Sequence, residues 1–99
     1  MKQEFDRQAV RVFKALGDPS RYEMVKLLAE RGEVSCGELV KHLSLSPPAL
    51  SHHYRVLEGC GLTEVRRQGA HHFVRLNRQV LERFLPGFLG VHGPDRPRD

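Results

Sequence analysis

The sequence has no apolar run long enough to span a membrane. Its opening, Lys2-Gln-Glu-Phe-Asp-Arg7, mixes charges of both signs instead of leading into an apolar segment with a small-residue cleavage site. Neither a membrane span nor a secretory signal is therefore expected, and residence is expected to be cytoplasmic. Cysteine is scarce: Cys36 and Cys60 are the two present, and in such a compartment they read as thiols and not as a structural disulfide. No nucleophile, base and orienting group recur together, and no phosphate-cradling glycine loop is present, so no enzyme is expected. With 99 residues the chain is one small domain whose core would be marginal alone, which favours an oligomer. Sixteen Lys and Arg against 12 Asp and Glu give a formal charge of +4, compatible with a nucleic-acid partner but not specific for one.

What the chain does contain is helical periodicity punctuated by caps. Phe5, Ala9, Val12, Phe13 and Leu16 recur at helical spacing and predict a first helix over 3–16, ended by Gly17. Asp18-Pro19 then supplies an N-cap and a first-turn proline, and Tyr22, Val25, Leu28 and Ala29 carry the period to Gly32, predicting a second helix over 19–31. Ser35-Cys-Gly-Glu38 has the spacing of a capping box and opens a short third helix with Leu39, Val40 and Leu43 as its apolar positions.

After a short turn, two prolines head a further patterned segment. Proline suits a first helical turn, because the amide it lacks has no intrahelical partner there and its φ already fits. Ser46 is the expected N-cap, and Gly59 and Gly61 supply the stop, so a fourth helix covers 47–59. Leu50, Tyr54 and Leu57 fall on one stripe, with His53 on the same inward side as a packing and hydrogen-bonding residue. Pro48, Ser51, His52 and Arg55 fall on another stripe. Two helices joined by a short turn, the second with a polar outer stripe, make a helix-turn-helix whose second member enters a groove.

From residue 62 the period falls to two, as Leu62, Glu64 and Arg66 alternate with Thr63, Val65 and Arg67, and His72, Val74 and Leu76 with Phe73 and Arg75. The turn Arg67-Gln-Gly-Ala70 contains the glycine a tight reversal needs. Arg66, Arg67, Arg75 and Arg78 against Glu64 make this hairpin a basic wing. A final apolar stripe over 80–89 is too wide for one small core, and Pro86 should kink or end its helix. The expected fold is mainly α with a small β-hairpin: a winged helix-turn-helix of about five helices and a two-stranded wing. Residues 1–90 would form the DNA-binding and dimerisation domain and 91–99 a flexible tail.

Phe13-Lys-Ala-Leu-Gly-Asp-Pro-Ser-Arg-Tyr22, Gly37-Glu-Leu39, Ser51-His-His-Tyr-Arg-Val-Leu-Glu-Gly-Cys-Gly-Leu62 and Arg67-Gln-Gly69 closely resemble, in order and spacing, the ArsR/SmtB family. The resemblance spans about residues 8–90. It implies a dimeric winged helix-turn-helix repressor that binds an inverted-repeat operator and is released by a signal such as a metal, metalloid or thiol-reactive agent. Family metal sensors carry Cys-x-Cys at the start of the third helix, where this chain reads Val34-Ser-Cys-Gly37. The family's other site needs a histidine on the last helix, and 77–91 holds none. No metal site and no cofactor are therefore expected, and the inducer is unknown.

On this reading Ser46, Pro48, Ser51, His52 and Arg55 face DNA. Arg55 is suited to a guanine edge or a phosphate, the serines to phosphate oxygens, and the wing residues Arg66, Arg67 and Gln68 to backbone or minor groove. Cys36 and Cys60 are the candidate thiol sensors. Cys36 is favoured because a helix's first turn stabilises thiolate, although two small semi-buried residues are the plainer reading. The homodimer would be built from outer stripes carrying Phe5 and Val12 on the first helix and Leu81, Phe84, Leu85 and Phe88 on the last. The alternative is a winged-helix protein–protein interaction module without specific DNA binding.

Overall fold

The computed structural model describes residues 2–93. Helix α1 (Lys2–Leu16) ends at Gly17, and α2 (Pro19–Arg31) begins after Asp18, whose carboxylate accepts from the Arg21 amide at 3.1 Å. Gly32, at φ 86°, turns the chain out of α2 with its amide donating to the Leu28 carbonyl. Ser35 Oγ accepts from the Glu38 amide at 3.2 Å to open α3, which follows the short strand β1 (Glu33–Ser35) and runs Cys36–Leu43. The Glu38 carboxylate reaches across to Arg31 at 3.0 Å, so the side-chain return that would complete a capping box is directed elsewhere.

Residues 44–46 make the turn between α3 and α4 (Pro47–Gly59). Ser44 adopts φ 54° and ψ 44°, the one non-glycine residue with positive φ among those described. This left-handed step reverses the chain within three residues and delivers Ser46 to cap α4, its hydroxyl accepting from the Ala49 amide at 3.2 Å.

Strands β2 (Thr63–Gln68) and β3 (His71–Leu76) form the expected antiparallel hairpin, with Gln68 opposite His71 across the turn Gly69-Ala70. Gly69 takes positive φ and Ala70 does not, which is the sign pattern of a type II′ reversal. The sheet has three strands and not the expected two: β1 pairs with the other edge of β3, in order β1-β3-β2. A three-residue segment is too short to show a period; it forms because Val34 buries opposite Val74.

At the C-terminal end, α5 (Arg78–Phe84) is capped by Asn77, and a separate α6 spans Phe88–His92. Helix α5 ends before Pro86, which cannot continue the amide ladder, in keeping with the expectation that the chain kinks or ends its helix there; Gly87, at φ 90°, then restarts the chain in a new direction as a further helix that the apolar stripe over 80–89 does not announce. The fold thus has six helices among the described residues, against about five expected from the motif. The domain end expected at 90 falls inside α6, and residues 94–99 of the expected tail lie outside the described residues.

One core joins these elements. Met24, Val25 and Leu28 of α2, Leu39 of α3, Leu50 and Leu57 of α4, Leu62 and Val74 all lie at or near zero exposure. Val12 and Leu81 are also at 0% exposure and Phe84 at 8%, so these three, assigned from sequence to a dimer face, belong to the core of their own chain. The stripe was wide enough to split: its inner half closes the monomer, and only the remainder is available to a partner.

Candidate nucleic-acid interface

Helix α4 presents its two stripes as its sequence requires. Leu50 and Leu57 are buried and Tyr54 is half-buried, while Pro48, His52 and Arg55 are exposed and Ser51 is half-exposed. Ser46 is exposed, and its hydroxyl already caps the helix.

The helix is also gripped from behind. The Thr63 hydroxyl donates to the Tyr54 carbonyl at 3.3 Å, tying α4 to the root of the wing. His53 turns inward, where its Nδ1 accepts from Arg21 Nη1 at 3.2 Å, and Arg21 Nε donates to the Ala15 carbonyl at 2.7 Å. Burial, foremost, holds the His53 pKa below its usual value, with the Arg21 and His52 charges acting in the same direction and Asp18 opposing. Asp18 stands 3.9 Å from Nδ1, but a neutral imidazole that accepts from a guanidinium makes no ion pair with it. Asp18 itself is held low, chiefly by the Arg21 amide. The two ends of this tie, Asp18-Arg21 and His53, lie far apart in sequence, and periodicity gives no signal of the contact.

In the wing, Arg66 is already occupied. Its guanidinium donates to both Glu33 oxygens, at 2.7 and 3.1 Å, and to Gln68 Oε1 at 2.9 Å, and it lies 4.6 Å from the centre of the Phe73 ring directly across the hairpin. The pair holds Glu33 below and Arg66 above their ordinary pKa values through the shared hydrogen bonds. Arg67 points to the other face of the strand and is exposed, and its side chain makes no hydrogen bond or ion pair among the described residues. Sequence periodicity does not single out Glu33, because its role depends on β1 joining the sheet.

The cysteines differ in setting. Cys36 is half-buried in the first turn of α3, and burial pushes its thiol pKa up, against the lowering its helix position suggests. Cys60 is buried, donates through Sγ to the Leu57 carbonyl at 3.2 Å, and is likewise pushed up by burial. Neither setting favours thiolate. Among the described residues no group of three or more His, Cys, Asp or Glu stands close enough together to hold a metal ion, and no helix is long and apolar enough to cross a membrane.

Comparison with known proteins matches residues 18–65 to the family model of bacterial regulatory proteins of the arsR family. The uncharacterized HTH-type transcriptional regulator YceK of Bacillus subtilis is 36% identical over 90 residues, covering 90% of each chain. The arsenical resistance operon repressor of Staphylococcus xylosus is 38% identical over 71 residues, covering 72% of this chain and 67% of that one. Among solved structures, a homodimeric winged helix-turn-helix DNA-binding domain from Mycobacterium bovis, described as a possible ArsR-family regulator, aligns with a TM-score of 0.74 at 28% identity, covering 84% of this chain and 77% of that one.

Proposed function

The chain belongs to the arsR family of bacterial transcriptional regulators, and from that membership we propose that it is a cytoplasmic homodimeric repressor that binds an inverted-repeat operator and releases it on a signal. The observation that carries the reading is α4: a capped helix locked inward by Leu50, Leu57 and His53, with His52 and Arg55 left exposed on the opposite side beside a basic hairpin. Arg55 reads a base edge or grips a phosphate, Ser46, Pro48, Ser51 and His52 approach the backbone and groove wall, and Arg67 with Gln68 at the wing tip adds affinity. Arg66 acts here by holding the wing's shape, since its charge is already paired with Glu33.

Dimerisation is supported by what one chain leaves uncovered. On α1, Phe5 is 47% exposed, Val10 51% and Phe13 54%, and Leu85 and Phe88 beyond α5 are half-buried. Large apolar side chains grouped on one helix mark a surface made for a partner, and a two-fold axis would set two α4 helices against matching half-sites.

The test is binding of a labelled fragment from just upstream of the chain's own coding region, chosen for an inverted repeat, titrated over a range of salt. The repressor reading expects sequence-selective, salt-dependent binding. Equal weak binding to the repeat and to a scrambled duplex would favour the protein–protein module instead.

A further inference from the structure

The C-terminal half of α1, the start of α2 and the last turns of α4 border an open, shallow cleft of about 410 Å³. Its floor is apolar, with Ala15, Val56 and the buried Cys60, and its rim is cationic, with Arg11, Lys14 and Arg55. Arg21 also lines it, already engaged by Ala15 and His53. The three rim cations are exposed, and their side chains make no hydrogen bond or ion pair among the described residues. No described residue lining this cleft is acidic; the adjoining groove, which shares Arg11 and Cys60, contains Glu4 and Glu58 and lacks that one-sided charge.

A bare phosphate would use the rim and leave the floor idle. An anion with a flat or aliphatic apolar body uses both, and the volume is that of a small-molecule site. We propose that this cleft is an effector site for an amphipathic organic anion, such as an aryl or medium-chain carboxylate, and that the bound anion withdraws Arg55 from the operator. The inference rests on the operator-binding reading for its consequence but not for the binding event. Arg55 sits at once on the DNA-facing stripe and on the rim, so one guanidinium is contested by two anions. Linkage then requires DNA to weaken anion binding by the same factor as the anion weakens DNA binding.

The test is calorimetric titration of the DNA-free protein with 2-naphthoate, with its neutral amide and with inorganic phosphate. Saturable binding of naphthoate, one per chain and tighter than either control, is expected. Arg11→Ala with Lys14→Ala, two exposed positions outside the proposed DNA contacts, should weaken it about tenfold or more while leaving the melting temperature unchanged. Naphthoate should also release the labelled fragment from the wild-type protein but much less from the double variant. Absence of saturable binding, equal binding of the amide, or naphthoate affinity unchanged by the double variant would overturn the proposal. Loss of DNA affinity and salt slope in a double variant of a protein that never binds naphthoate would also overturn it, and would assign the rim to the DNA backbone. A fragment left unbound even without naphthoate counts against the operator reading alone, and the titration of the free protein still decides the site.

Discussion

Arg66 and Arg67 are adjacent in the chain, yet the alternation of a strand sends them to opposite faces with different electrical fates. Arg66 is neutralised by Glu33, whereas Arg67 has no such partner among the described residues. Counterion release counts net charge delivered to phosphates, so Arg67→Ala should reduce the salt slope of DNA binding by about one. Arg66→Ala should change that slope less and instead loosen the wing, seen as faster amide exchange along β2. Equal loss of slope in both variants would mean that the Glu33 pair opens on DNA. His53 gives a second expectation. Its folded pKa lies below the value near 6.5 of an unfolded chain, so the unfolded state binds more protons as the solution is acidified. The stability tied to neutral His53 is therefore complete above about pH 6.5 and is lost as pH falls through the window beneath it. Asp18, Arg21 and His52 are the charged or titratable groups that face it. Melting measured between about pH 7.5 and pH 5 should fall more steeply for the wild type than for His53→Gln; parallel curves would count against the buried neutral imidazole.

Four helices, α2 to α5, begin at a capping side chain, and α4 shows what that is worth. Removing the Ser46 hydroxyl with Ser46→Ala should cost about 1 kcal/mol of stability, because the Ala49 amide loses its acceptor. In the preceding turn, Ser44 is held in left-handed backbone, so Ser44→Val should cost about 1–2 kcal/mol while Ser44→Gly is tolerated or mildly stabilising. Chemical denaturation of the three variants checks both; an indifferent Ser46→Ala would show the cap to be idle. Caps and helical periods are local, which is why α2 and α4 could be bounded from sequence. Strand β1 could not, since its three residues declare themselves only when Val34 meets Val74 across the sheet. The candidate site divides the same way. The exposed stripe of α4 follows from periodicity, but the Arg66–Glu33 clamp, the Arg21–His53 tie and the cationic cleft are contacts between distant segments. The break at Pro86 was visible as a break, but the second helix beyond it was not.

At the level of the whole molecule, the wide apolar stripes of α1 and the C-terminal helices would, in the proposed dimer, serve two interfaces. Val12, Leu81 and Phe84 close the chain's own core, while Phe5, Val10 and Phe13 remain exposed. Phe13→Glu should therefore shift the sedimentation profile at micromolar concentration from dimer toward monomer while the chain stays folded; a wild-type protein that sediments only as monomer would remove the two-fold reading. Which way α4 faces decides whether the chain can read a groove, and measuring operator affinity and thermal unfolding together for Arg55→Ala and Leu57→Ala tests it. Arg55→Ala should lose about 1–3 kcal/mol of binding with unchanged melting, since it removes a groove contact from an exposed position. Leu57→Ala should lose about 2–5 kcal/mol of stability through a cavity, and should lose DNA binding only as it unfolds. An Arg55→Ala protein that binds the operator normally, or a Leu57→Ala protein with unaltered melting, would contradict the orientation of the recognition helix described here.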